Sequence, residues 1–298
     1  MQLTATATRL EDVLSAVTTL VSEARLRFDG SNNLTICAVD PANVGMVDVA
    51  MPAEAFESFE NEDNTEVIGV DLTELQNAVS AIEGQPRENS NEKITVSVTY
   101  TDDNRLEIEG GNMSFTIPTQ TPESIREEPD IPNLMTSAQV SMIPSAFKKY
   151  MTVAKQQGDH LSFEVTPDEN FHLSTKDDLS DFDVTLENDN YPLTSVLNTS
   201  GDTGSMMSVT SMYSLDYLTD LAKGLNEGDD VEIMFGDSLP MMLSTSLCDG
   251  TVNLEYILAP RIPEESSTES ANNTAENTTS EDAETETEEE AETVEPTN

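Results

Sequence analysis

Basic residues are almost missing from this sequence: 13 lysines and arginines, six of them lysine, stand against 58 aspartates and glutamates, a formal net charge of −45. That shortage argues against a surface that grips phosphates, which proteins do with Lys and Arg clusters. The longest basic run is Lys148-Lys149. Cysteine is scarce as well. Cys37 and Cys248 are far apart and without metal spacing, so neither a disulfide framework nor a thiolate metal site is expected, and a reduced cytoplasmic setting is. No apolar stretch approaches the ~18 residues of a membrane span. The start, MQLTATATRLEDVL, lacks the basic region and apolar core of a secretory signal.

The residues that carry chemistry are missing too. No Gly-rich phosphate loop and no G-x-S-x-G elbow occurs. His160 and His172 are the only histidines, 12 apart, with no carboxylate or cysteine at ligand spacing. Asp177, Asp178 and Asp181 lack the glycine and terminal glutamate of a calcium loop, and read as a solvated face. No catalytic residue, metal site or cofactor is assigned. A binding or scaffolding protein is expected.

What is present is acid, and order. So large a charge strains a compact fold in dilute buffer, but at 1 M salt the Debye length shrinks to ~3 Å and most of the repulsion is screened. The apolar residues of 1–262 fall in clear periods, so a folded, salt-adapted protein is expected there. Residues 263–298 differ: 13 carboxylates, no basic residue and hardly a large apolar side chain. Such a composition cannot offset its ordering entropy, and a disordered acidic tail is expected.

The body carries a hidden repeat. Leu72, Leu75, Val79 and Ile82 form one apolar helical stripe, and Leu215, Leu218, Ala222 and Leu225 repeat it 143 residues later. Leu10, Val13, Leu14 and Val17 match Phe147, Tyr150, Met151 and Ala154 at an offset of 137. Alternating segments follow each helix and read as strands: 34–39, 45–51, 94–100, 105–109 and 114–117, then 161–165, 171–174, 181–186, 231–235, 241–246 and 253–258. Two copies of one α+β domain are expected, each read as helix, strands, helix, strands. The boundaries are 1–117 for the first and 135–262 for the second. Between them lies 118–134, with four prolines in 17 residues, expected as an extended, exposed connector.

Four segments carry a family resemblance. AVDPANVGMV (38–47) resembles the strand–loop–strand of archaeal clamps of the proliferating cell nuclear antigen family. SIREEPDIP (124–132) is similar to their interdomain connector, YSLDYL (213–218) to the start of their last helix, and LAPRI (258–262) to their closing strand. The match runs in order through 1–262, and the acidity resembles that of clamps from halophilic archaea or a virus of such a host.

The resemblance implies a DNA sliding clamp: a homotrimeric ring around double-stranded DNA, sheets outside and helices inside, without enzymatic activity. It implies partners that carry clamp-binding peptides, namely DNA polymerase, other replication and repair proteins, and the clamp loader. A peptide groove would be built from Val39, Val44, Met46, Ile131, Pro240, Ala259, Pro260 and Ile262. Subunits would join through two edge strands, Ser114, Phe115, Thr116 and Ile117 on one and Asp181, Phe182, Asp183 and Val184 on the other. The inner face departs from the family pattern. Glu11, Asp12, Thr18, Asn77 and Ser80 stand where bases are usual, leaving Lys148, Lys149, Lys155 and Lys223 to face DNA. A closed ring is held by topology, so weak contacts suffice. The depleted inner face leaves open an alternative, a clamp-like regulator that binds partner peptides without encircling DNA.

Overall fold

The computed structural model describes residues 1–31, 33–61, 65–89, 92–128, 134–176, 181–188, 190–200 and 207–262. The acidic tail from 263, Asp177–Asp178 and Ile131 all lie outside them. Met1–Arg261 forms one compact unit.

Its first half runs β1 (Gln2–Thr6), α1 (Ala7–Thr18), β2 (Glu23–Asp29), β3 (Leu34–Val39), β4 (Gly45–Met51), β5 (Ser58–Glu60), β6 (Thr65–Asp71), α2 (Leu72–Glu83), β7 (Thr95–Thr101), β8 (Arg105–Gly110) and β9 (Met113–Pro118). The second runs β10 (Ala138–Met142), α3 (Pro144–Lys155), β11 (His160–Val165), β12 (Phe171–Lys176), β13 (Asp181–Leu186), β14 (Leu193–Asn198), β15 (Val209–Ser214), α4 (Leu215–Gly224), β16 (Val231–Phe235), β17 (Met241–Leu247) and β18 (Val252–Leu258).

The helices arise where the expected stripes lie. Leu10, Val13, Leu14 and Val17 are all buried on α1, as are Leu72, Leu75, Val79 and Ile82 on α2. Each such side chain contributes roughly 1.5–3 kcal/mol on burial. Local chemistry sets the starts. Thr6 accepts from the Arg9 amide, Asp71 accepts from the Glu74 amide at 3.0 Å, and Pro144 opens α3, where its missing N–H costs nothing. Each helix is entered directly from a strand (β1, β6, β10 or β15), so each half begins with a strand and not with a helix.

The described strands form three antiparallel sheets, in the orders β5-β1-β7-β8-β9, β14-β10-β16-β17-β18-β4-β3-β2-β6 and β13-β12-β11-β15. The two halves are superimposable in topology. β14-β10-β16-β17-β18 repeats β5-β1-β7-β8-β9, and β13-β12-β11-β15 repeats β4-β3-β2-β6. The nine-stranded sheet arises because β18 of the second half pairs with β4 of the first, from Asn253↔Ala50 to Leu258↔Gly45. Under that junction Tyr256 crosses to the helices, donating to the Ala16 carbonyl at 2.7 Å.

The proline-rich connector is less detached than expected. Pro118 ends β9, Gln120 exchanges backbone hydrogen bonds with Gly69 of β6, and Ile125 is buried. Scarce arginines hold it down. Arg25 donates to the carbonyls of Pro122 (2.8 Å) and Ile125 (2.7 Å), and Arg27 forks onto the Glu128 carboxylate.

Candidate functional site

Side chains on β-strands alternate between faces, and on the junction sheet the face away from the helices carries a cross-strand apolar row. Val39 of β3 pairs with Met46 of β4, Met46 with Ile257 of β18, and Ile257 with Met242 of β17. Met46 and Ile257 are only 5% and 8% exposed. The row ends at the C-terminal segment. Ala259 donates to the Val44 carbonyl at 2.8 Å, and Pro240 and Pro260 flank the last ladder pair, Met241↔Leu258. The structure thus brings Val39, Val44, Met46, Pro240, Ala259 and Pro260 together. Ile262 is two-thirds exposed, at 67%. A cleft of about 240 Å³ opens beside the row, between Val21, Cys37 and Val39 on one side and Ile125 and Arg126 of the connector on the other.

The loop between β3 and β4 shapes this face, and one carboxylate shapes the loop. Asp40 is 5% exposed. One of its oxygens accepts from the Val44 and Gly45 amides, both at 2.7 Å; the other accepts from the Ala42 amide at 2.9 Å and from the Tyr217 hydroxyl at 2.7 Å. Asn43 takes the left-handed conformation at φ 57°, which asparagine tolerates. Burial works to raise the Asp40 carboxyl, but the Gly45 amide, the Tyr217 hydroxyl and the Ala42 and Val44 amides prevail and hold it below its ordinary value. Burial, then the bond to Asp40, pushes Tyr217 up to about 12, so its hydroxyl stays a donor.

A depressed carboxyl stabilises the fold above its unfolded value, and that stability is lost as pH falls through the folded one. Asp40→Asn should therefore cost about 2 kcal/mol at neutral pH, the scale of a hydrogen bond to a charged group. The deficit should hold down to about pH 4, the ordinary aspartate value, and shrink below it. Chemical unfolding of both proteins across pH checks this.

The opposite face carries the helices. Across α1 and α2 the polar residues are spent on one another: Ser80 donates to Glu11 (2.9 Å), Thr18 to Gln76 (3.0 Å) and Gln76 to Ser15 (3.1 Å). Asn77 is exposed. The four lysines expected to face DNA sit on α3 and α4, and acid neutralises three of them. Lys155 contacts Asp216 at 2.8 Å and Asp159 at 3.2 Å, Lys223 contacts Asp220 at 2.7 Å, and Lys148 lies 3.8 Å from Glu227. Among the described residues Lys149 is exposed with no carboxylate within ion-pair distance.

The expected joining strands lie at edges. β9 ends the five-stranded sheet and β13 the four-stranded one, and neither has a neighbour on its outer side among the described residues. Phe115, Phe182 and Val184 pack against the core yet stay partly exposed; Ile117 is buried; Ser114, Thr116, Asp181 and Asp183 face solvent. Reading the sequence missed Ile257, Met242 and Ile125, and above all Asp40, Tyr217 and Arg126. Asp40, Arg126 and Tyr217 each lie in a segment that carries the family resemblance (38–47, 124–132 and 213–218), but no pattern in the residues marks them as part of a site.

Known proteins match this geometry. The family described as proliferating cell nuclear antigen, N-terminal domain, matches residues 2–109. The DNA polymerase sliding clamp of Natronomonas pharaonis is 34% identical over 250 residues, covering 84% of this chain and 93% of the relative. That of Halobacterium salinarum is 33% identical over 256 residues, covering 85% and 95%. Among solved structures, Archaeoglobus fulgidus PCNA bound to the C-terminal region of FEN-1 has a TM-score of 0.75 at 31% identity, covering 88% of this chain and 99% of that one. PCNA from Thermococcus kodakaraensis has a TM-score of 0.74 at 21% identity, covering 87% and 99%.

Proposed function

Because the chain belongs to the proliferating cell nuclear antigen family and is a DNA sliding clamp, we propose that three copies close head to tail around double-stranded DNA and tether DNA polymerase and other partners on the outer face. The internal repeat carries this reading. β18 and β4 pair within the chain, and their counterparts in the repeat are β9 and β13, each with its outer edge unpaired among the described residues. The junction that the fold makes once with itself is thus available to be made again between subunits, by Ser114–Ile117 of one copy and Asp181–Val184 of the next. The domain division at 117, the connector to 134 and the second domain to 262 follow the same repeat.

In this reading the chain does no chemistry itself. Lys149 is the strongest phosphate contact, and Lys148, Lys155 and Lys223 assist only after yielding their carboxylates. Sequence-independent contacts of this kind weaken steeply with salt, so encirclement holds the ring on DNA. A partner peptide lies on the apolar row, between Val44, Met46 and the Ala259-Pro260 end, with the connector above it. Supporting this, the A. fulgidus structure has the C-terminal region of FEN-1 bound to a clamp of the same fold. No described helix is long and apolar enough to cross a membrane, and the site of action is the cytoplasm.

Retention on DNA tests encirclement. Loaded by a clamp loader at high salt, the chain should stay on closed circular duplex through gel filtration and leave at once when that duplex is linearised. Equal loss from both forms would favour the regulator that binds peptides without encircling DNA.

A further inference from the structure

One hydrogen bond links a helix on the proposed DNA side to the loop at the rim of the proposed peptide groove. Tyr217 belongs to α4, whose exposed side carries Lys223, yet its hydroxyl reaches Asp40, 177 residues away, at the rim of the peptide groove. The ring of Tyr217 packs at the start of β4. A Cβ added to Gly45 would lie 3.3 Å from its Cδ1 and Cε1. Asp40 spends its other lone pairs on the Ala42, Val44 and Gly45 amides, which fix the loop. The same loop holds the connector, since Arg126 donates to the Asp40 carbonyl at 3.1 Å and to the Asn43 side chain at 2.6 Å.

We propose that Tyr217 is a positioning residue for partner recognition: from the DNA-side helix it orients Asp40, and Asp40 presents Val44 and, through Arg126, the connector to the incoming peptide. The chain of contacts is short and leaves few alternatives. Without the hydroxyl, one carboxylate oxygen keeps only the Ala42 amide while buried, and a buried acceptor short of a partner draws its surroundings out of place. The loop has no regular ladder of its own to resist this: it is closed by Asp40 N–H to the Gly45 carbonyl and by Asn43 N–H to the Asp40 carbonyl. Val44 moves with it, because Val44 is the residue that the carboxylate grips from one side and Ala259 from the other.

This inference rests on the groove reading, and the test separates the two. Tyr217→Phe keeps the ring against Gly45 and removes only the donor. The probe is the FEN-1 C-terminal peptide, titrated against the full chain at molar salt. Wild type should bind, and Tyr217→Phe should bind roughly ten-fold more weakly, a change equal to about 1.4 kcal/mol. Amide hydrogen exchange should quicken at 40–44 and stay unchanged along β3 and β4. Asp40→Asn should weaken binding at least as much, and the double variant should be no worse than Asp40→Asn alone, because the two act through one bond. Equal affinity of wild type and Tyr217→Phe, additive losses in the double variant, or exchange that quickens throughout the sheet would each overturn the role of Tyr217. A wild-type chain that ignores the peptide would overturn the groove reading itself, and this inference with it.

Discussion

At molar salt the chain should run as a trimer, and Val184→Glu should leave it a monomer with its fold intact. Val184 and Phe182 point toward the core side of β13 but keep exposed flanks, and Phe115 does the same on β9. Antiparallel pairing of these edges would bury the flanks and add several backbone hydrogen bonds at about 1 kcal/mol each. A glutamate in the seam must lose water on association. The penalty should reach at least about 4 kcal/mol, roughly a thousand-fold in association. Because Val184 is only half-buried in the single chain, the monomer should survive the change. Salt acts on the same seam. Asp181 and Asp183 sit exposed on β13, while Glu107 and Glu109 flank Thr116 and Ser114 beside β9. Lowering salt from 1 M to 0.01 M lengthens the Debye length from ~3 Å to ~30 Å, so the wild-type ring should open on dilution of salt. Light scattering reads both effects. A monomeric wild type at molar salt, or a trimeric Val184→Glu, would sink the seam assignment.

The other large effect is expected at the groove. Val44→Glu should weaken the FEN-1 C-terminal peptide by more than about a hundred-fold, close to 3 kcal/mol, while the trimer remains. The Val44 backbone is held on both sides, by Asp40 through its amide and by Ala259 through its carbonyl, so the loop should keep its path. What changes is the surface offered, an apolar rim turned into a charge that binding would desolvate. The wild-type interaction should persist at molar salt, because apolar burial is not screened as ionic contacts are. Undiminished peptide binding by Val44→Glu would move the tether to another surface.

Much of this architecture was legible in the residues because burial has a period. The stripes of Leu10–Val17 and Leu72–Ile82 could be read as helices, and the alternation in Leu34–Val39, Gly45–Met51 and Val231–Phe235 as strands, to the residue. The strands that lead into helices were not read. In β10 (AQVSM) and β15 (VTSMYS) small and hydroxyl side chains blunt the alternation, and the period changes from 2 to 3.6 at a single cap residue. β2 was hidden by Arg25 and Arg27, which look solvent-directed but serve to hold the connector. At the site, the apolar row announced itself through Val39, Met46 and Ala259-Pro260. Asp40 did not, since in so acidic a chain one more aspartate carries no signal, and its partner Tyr217 is distant in sequence. The lysines were visible but their neutralisation was not: Asp216 meets Lys155 only because α4 packs beside α3.

The seam between β18 and β4 differs from its counterpart in one respect that no contact reveals: a single chain holds both of its strands. Its closure is intramolecular, at an effective concentration that a short tether sets in the millimolar range or above, and it is indifferent to how much protein is in solution. The proposed seam between β9 of one copy and β13 of the next would have only the bulk concentration to draw on. A ring of three copies closed as proposed would therefore have six like joints, three fused and three able to part. Thinning the solution, or prying at one place, should then break it at β9, and the piece that comes away should be a whole chain.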